Sequence, residues 1–121
     1  MDPFLRAPAL PQVFVTGDAA AADTGDGHVA LQSCQHALRI GRAAGANAAS
    51  DLLGLPLQPY TQLRYGTCLD LGRFGAVRTA GWNREVIQAG PEAKPVKRTI
   101  NTQVIYPPAN ATRAELLAQA E

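Results

Sequence analysis

The 121-residue chain has almost no net charge, 11 basic against 10 acidic side chains leaving +1. So weak a field steers neither nucleic acid nor anionic lipid onto a surface, and no nucleic-acid partner is expected. Aromatic residues are scarce, with one Trp, three Tyr and three Phe, too few for a platform on which bases stack. The two cysteines, Cys34 and Cys68, are not at CxxC spacing. Asp2, Pro3, Pro8 and Pro11 interrupt any apolar leader, so the expected compartment is a reducing cytoplasm. No apolar run reaches the ~18 residues of a spanning helix, which leaves at most a peripheral place on the inner face of the cell membrane.

Hydrophobic residues are 46% and charged residues 17% of the chain, a globular composition, at a length that suggests one domain with a core of its own. Val13-Phe14-Val15, between Pro11 and Gly17, is a β-rich apolar run. Such runs suit a strand buried on both faces, as in a parallel sheet flanked by helices. From about Gly27 to Leu53 the pattern is helical. Ala30, Cys34, Ala37, Gly41, Ala44, Ala48 and Leu52 recur at three- and four-residue steps, predicting a buried face of small residues. Gly41 and Gly45 each cost about 1 kcal/mol against Ala in a helix interior, a cost that close approach to a strand or ligand would justify. Gly54 and Pro56 close the helix.

After "GLPLQPYTQ" the period changes to two. Leu63, Tyr65, Thr67, Leu69 and Leu71 alternate with Arg64, Gly66, Cys68 and Asp70, the pattern of a half-buried strand. "GRFG" turns the chain, "AVRTAGW" returns it, and "EVIQAG" supplies a third strand, so residues 61–90 read as an antiparallel meander. Lys94, Lys97 and Arg98 form a small basic cluster, and Pro95 suits a helix only in its first turn. Thr112-x-x-Glu115 is a capping box opening a short terminal helix.

Several motifs invite a chemical reading. "GDGHVA" matches G-x-G-x-x-A at Gly25, Gly27 and Ala30, with Asp51 downstream. A dinucleotide fingerprint needs its first glycine at the end of a strand and its acid at the end of the next. Here Gly25 lies well past Gly17 and Asp51 falls in the helical pattern, so the match is set aside. Cys34, His36 and Cys68 offer no fourth zinc ligand, and no metal is expected; Cys34 reads as a buried small helix residue and His36 as a partly exposed one. Ser33, Cys34 and His36 do not face one another as nucleophile and base, which leaves catalytic residues unassigned. "NAT" at Asn110 has the glycosylation pattern by chance. Gly17-Asp18 is different. A glycine at the end of a buried strand admits a ligand close to the backbone, the acid accepts hydrogen bonds from hydroxyls, and the next helix aims its positive end back towards them. An ordinary Gly-Asp turn explains the same residues, and on these residues alone it is the better account.

"LRAPALPQVFVTGDAA" followed by "VALQSCQHALRIGRAAGANAASDLLG" resembles the second FAD-contacting segment of flavoproteins with two dinucleotide-binding domains, and is closest to NADH dehydrogenase-like, FAD-dependent pyridine nucleotide oxidoreductases. "YGTCLDLGRFGAVRTAGW" and "INTQVIYPP" resemble the C-terminal part of the same family. The resemblance implies an α/β protein, α+β as an isolated chain. Residues 1–56 would be the last strand and long helix of a Rossmann-type FAD-binding domain. Residues 57–121 would be a β-meander and short helical tail. It implies that Gly17 makes room for FAD and that Asp18 accepts hydrogen bonds from its ribityl hydroxyls. Gln32, Ser33, Cys34 and Gln35 would lie beside the isoalloxazine ring, with Gln35 and, more weakly, His36 on the substrate side. A helix end aimed at the reduced ring's negative charge is worth about 0.3–1 kcal/mol and eases hydride acceptance.

The family's G-x-G-x-x-G motifs for FAD and NAD(P)H are absent from the chain. The resemblance therefore implies a C-terminal fragment, or half of a split protein, inactive alone. Its partner would be an N-terminal half or separate subunit carrying those motifs, with a homodimer as a further candidate. Hydride would pass from NAD(P)H to FAD and on to a quinone or another acceptor. The tail "ATRAELLAQAE" lacks the amphipathic membrane helix of type II NADH dehydrogenases, which puts quinone in question. The competing expectation is a non-catalytic α+β interaction module or split-subunit remnant whose meander binds a partner.

Overall fold

A computed structural model describes residues 1–107 and 109–118. The chain is a mixed α+β protein in two compact units, one made of Met1–Leu63 with Leu117 and Ala118, the other of Arg64–Leu116. Length alone suggested one domain; the two core-building segments instead close on themselves separately.

The first unit begins with a local lock. Asp2 Oδ1 accepts the N–H groups of Phe4 (3.0 Å) and Arg6 (2.8 Å). The chain then forms a small antiparallel hairpin of β1 (Arg6–Ala7) and β2 (Leu10–Phe14), with Arg6 opposite Phe14, Ala7 opposite Leu10 and a bulge between. The Arg6 guanidinium lies over the Phe14 ring, 5.4 Å from its centroid. This corrects the expectation for Val13–Val15. The run belongs to an antiparallel hairpin, Val13 is 40% exposed, and Phe14 and Val15 are half-buried. Apolar character fixed the extended conformation without fixing which faces are covered.

A single 3-10 turn, Gly17–Ala19, follows. Residues 20–33 then form a small-residue loop held by its own bonds. Ala30 N–H donates to Ala22 O (2.8 Å) and Thr24 N–H to His28 O (2.9 Å). The Thr24 hydroxyl, buried, reaches Asp26 Oδ1 (2.5 Å) and His28 O (3.0 Å). Those bonds keep the helical pattern from starting at Gly27. Helix α1 runs Cys34–Leu52, with Ser33 as N-cap. It ends in a Schellman motif, Gly54 N–H bonding Asp51 O (3.2 Å) and Leu55 N–H bonding Ser50 O (2.8 Å), with Gly54 at φ 66°. The glycine stop is thus where the sequence put it.

The buried stripe of α1 is His36, Ile40, Ala44 and Asn47. Of the predicted face Ala30-Cys34-Ala37-Gly41-Ala44-Ala48-Leu52, Ala44 is buried as expected, Ala30, Ala37, Gly41 and Ala48 are half-buried, and Cys34 and Leu52 are exposed. Both stripes have helical period; they differ in phase, and the mostly small residues of this helix left phase undetermined. Ile40 and Ala44 pack with Leu5, Ala20, Ala22 and Tyr60. Residues 57–63 stay with this unit as an extended strap: Tyr60 N–H bonds Pro3 O and Gln62 N–H bonds Thr24 O, both at 2.8 Å. Asn47 ties strap and N-terminus to the helix. Its amide donates to Phe4 O (3.1 Å) and Gln58 O (2.8 Å), and its carbonyl accepts Gln58 N–H (2.9 Å).

The second unit is the expected meander, β3 (Gly66–Asp70), β4 (Ala76–Ala80) and β5 (Glu85–Gly90), paired antiparallel in that order. β3 is shorter than the alternation from Leu63 to Leu71 suggested. The Gly72–Phe74 turn is a 3-10 turn ending at Gly75, φ 101°. A Cβ at Gly75 would sit 2.1 Å from Gly90 O, so only glycine lets β4 start this close to the end of β5. After Pro91–Ala93, helix α2 (Lys94–Thr99) carries Pro95 in its first turn and continues into a π-type turn, Ile100–Val104. Helix α3 (Arg113–Ala118) has the predicted capping box: Thr112 N–H donates to Glu115 Oε2 (2.7 Å) and Glu115 N–H to Thr112 Oγ1 (3.3 Å).

Candidate functional site

The residues singled out by sequence all lie in the first unit, around the 3-10 turn and the start of α1. Gly17 needs its positive φ of 68° for the chain to leave β2 and turn. A Cβ built there meets nothing within 4 Å, so the space in front of Gly17 is open. Asp18 and its carboxylate are exposed beside it. The turn packs against α1. A Cβ on Gly41 would lie 3.4 Å from Thr16 Oγ1, an ordinary van der Waals contact, so the helix runs close to the turn here with room for a residue as small as alanine. Gly41 is about two turns, or ~11 Å, along the axis from Cys34. Thr16, next to Gly17 and Asp18, therefore abuts α1 about two turns from the start of the helix, and not at Gln32–Gln35.

At the helix start, Ser33 Oγ accepts the backbone N–H of His36 (3.3 Å) and lies 2.9 Å from His36 Nδ1. One serine thus caps the helix and holds the imidazole, which corrects the expectation that Ser33 and His36 do not face one another: three residues apart across a cap, their side chains meet. Gln32, Cys34 and Gln35 are exposed and Ser33 is half-buried. The positions assigned to Cys34 and His36 from sequence are reversed: Cys34 is exposed and His36 is buried. Removal from water lowers the His36 pKa below the usual 6.5, because burial disfavours the imidazolium. The neutral ring anchors the helix start and presents no surface to a ligand.

Deeper in, the Tyr60 hydroxyl donates to Gln62 Oε1 (2.8 Å). Burial raises its pKa, with Arg39 opposing the shift. Asp51, the acid of the rejected dinucleotide match, sits on α1 in an ion pair with Arg6. Among the described residues no group of three or more His, Cys, Asp or Glu is gathered as a metal site, and no helix is long and apolar enough to cross a membrane.

Thr16 and Asn47 went unnoticed in the sequence. Asn47 had a readable signal, since it extends the spacing His36-Ile40-Ala44 by one more step; polarity disguised it as surface. Thr16 had none, because its place against the helix depends on Gly41 being its neighbour.

No protein-family profile matches the chain. Two curated relatives do. Both are NADH dehydrogenase-like proteins of Mycobacterium tuberculosis, from strains CDC 1551 / Oshkosh and H37Rv. Each is 48% identical over 120 residues, which is 99% of this chain and 30% of the relative. Identity at that level along the whole chain leaves no segment outside the relationship. The chain is accordingly a relative of NADH dehydrogenase-like proteins, corresponding to a portion of them that amounts to 30% of their length.

Proposed function

We propose that the chain is the C-terminal, flavin-contacting portion of an FAD-dependent NAD(P)H oxidoreductase. The observation that carries this reading is the 48% identity along 99% of the chain to NADH dehydrogenase-like proteins. The geometry around Gly17 fits the cofactor: the backbone turns through a positive φ into open space, with an exposed carboxylate next to it. Bound FAD would supply the hydride chemistry, taking hydride from NAD(P)H and passing two electrons to a quinone or another acceptor. In this reading β2 and α1 are the last strand and helix of the FAD-binding domain.

Asp18 would accept hydrogen bonds from ribityl hydroxyls, and Gly17 would let the cofactor approach the backbone. The start of α1, with Gln32, Ser33, Cys34 and Gln35, would place a positive helix end beside the ring. Gln35, exposed, would meet the ring edge or the second substrate. His36 is buried, so it would serve by fixing Ser33 and the first turn. The NAD(P)H site and the FAD fingerprint would belong to the part of the relatives that this chain does not span.

The test is a complete protein in which this chain replaces the matching 120 residues of the H37Rv relative. It should retain FAD, read from its absorbance. Asp18→Ala should weaken FAD binding about tenfold or more, as expected for losing charge-assisted hydrogen bonds worth about 1.5–3 kcal/mol. A folded chimera without flavin would overturn the reading. It would favour an interaction module instead, for which the exposed meander is the relevant feature.

A further inference from the structure

The meander has two unlike faces. By register, Gly66-Ala80, Cys68-Arg78-Gln88 and Asp70-Ala76-Gly90 share one face, and Thr67-Thr79-Val86 and Leu69-Val77-Ala89 share the other. All the charged residues of the three strands, Asp70, Arg78 and Glu85, fall on the first face. That face is engaged within its own unit. Lys94 of α2 bonds Asp70 (2.5 Å), Gln88 Nε2 donates to Glu92 O (3.1 Å), Arg78 donates to Gln88 (3.0 Å), and Ala76 and Ala93 are buried. The second face has no charge, yet Leu69 is 61% and Val86 65% exposed. A solvated antiparallel sheet ordinarily turns its polar face to water. Here the uncharged face, with Leu69, Val77, Val86 and Ala89 around the bonded Thr67 and Thr79 hydroxyls, is the one left outward.

Its size decides what covers it. Three strands about 4.8 Å apart and five residues long present about 250 Å² of flat area. Self-association through this face alone would bury about 500 Å² in total, well under the roughly 1,200 Å² of a stable free interface. Within one folded protein, where the partner surface is tethered at high effective concentration, a patch of this size suffices. The chain spans 30% of its relatives' length, so most of a complete protein lies outside it.

We infer that the uncharged face of the meander, centred on Leu69, Val77 and Val86, is where an apolar, uncharged surface from that remaining part packs against this chain. The inference rests on the proposal that the chain is part of a longer protein. It does not depend on flavin.

Introduced cysteines test it, in a Cys68→Ser background so that position 69 is read apart from its neighbour. Leu69→Cys and Val86→Cys, with Asn83→Cys in the β4–β5 turn as control, are labelled with a maleimide and read peptide by peptide. The isolated chain and the chimera with the H37Rv relative are compared. At positions 69 and 86 labelling should slow at least tenfold in the chimera, with position 83 unchanged. Equal labelling in both proteins would overturn the inference. So would protection in the isolated chain that grows with concentration, which would assign the face to a second copy. Protection without retained FAD would uphold the docking face while removing the flavoprotein reading. Loss of both would end both. In the isolated chain, Leu69→Lys/Val86→Lys should at least halve anilinonaphthalene sulfonate fluorescence at unchanged helicity; no decrease would likewise overturn it.

Discussion

The two units close their structures by different means. In the first, long-range polar ties do much of the closing. Buried Asn47 bonds Phe4 and Gln58, the Gln62 N–H bonds Thr24 O, and Arg6 pairs with Asp51 at the surface. In the second, neighbouring strands pair in order, and backbone meets backbone at Gly75 and Gly90. Local pairing follows from local pattern, whereas a long-range polar tie needs two distant residues to be right together. The comparison explains why the meander was visible in advance and the first core was not.

The largest expected effect falls on the second unit. Gly75→Ala forces a Cβ into Gly90 O at 2.1 Å on a backbone with φ 101°. Strain of that kind costs about 3 kcal/mol or more. Amide exchange across β3–β5 should become fast while the amides of α1 keep their protection. If both units lose protection together, the chain unfolds as one and the comparison fails.

The converse substitution is Asn47→Ala, which leaves the Phe4 carbonyl and both Gln58 backbone groups without this partner. With three groups affected, about 3 kcal/mol should be lost. Urea unfolding followed through α1 helicity measures it. A loss below about 1 kcal/mol would mean that water replaces the amide and that the tie is not what closes the core.

A smaller effect separates the units by pH. Both histidines, His28 and His36, lie in the first unit. The folded His36 pKa is lowered by burial, so the unfolded chain binds its proton first as pH falls. Stability from the neutral ring is full above the unfolded pKa near 6.5 and is lost as pH drops through the folded pKa. Between pH 7 and 5 the first unit should therefore weaken and the second should not. His36→Gln should flatten part of that slope. In the second unit, Asp70 is held low by its bond to Lys94 and Glu115 by Thr112, so their response belongs below this window. A slope unchanged by His36→Gln would assign the pH response elsewhere.

Much of the candidate site was legible as residue types and little of it as geometry. Gly17 and Asp18 were recognisable because a β-rich run stopping on Gly-Asp is a local feature. The start of α1 was misplaced by several residues, since nothing local announces that Thr24, Asp26 and His28 hold the loop together. Cys34 and His36 exchanged places for one reason: a helix rich in Ala and Gly has a clear period and an ambiguous phase.

By itself the sequence determined the features set by near neighbours. These are the Schellman stop at Gly54, the Thr112-Glu115 capping box, Pro95 in the first turn of its helix and the three-stranded meander, along with the kinship to NADH dehydrogenase-like proteins. Only the tertiary structure decided which stripe of α1 is buried, that β2 pairs in a hairpin, that Asn47 ties helix, strap and N-terminus, and that the meander turns its uncharged face outward. Each of those depends on which residues distant in sequence come to lie side by side, and no local propensity carries that information.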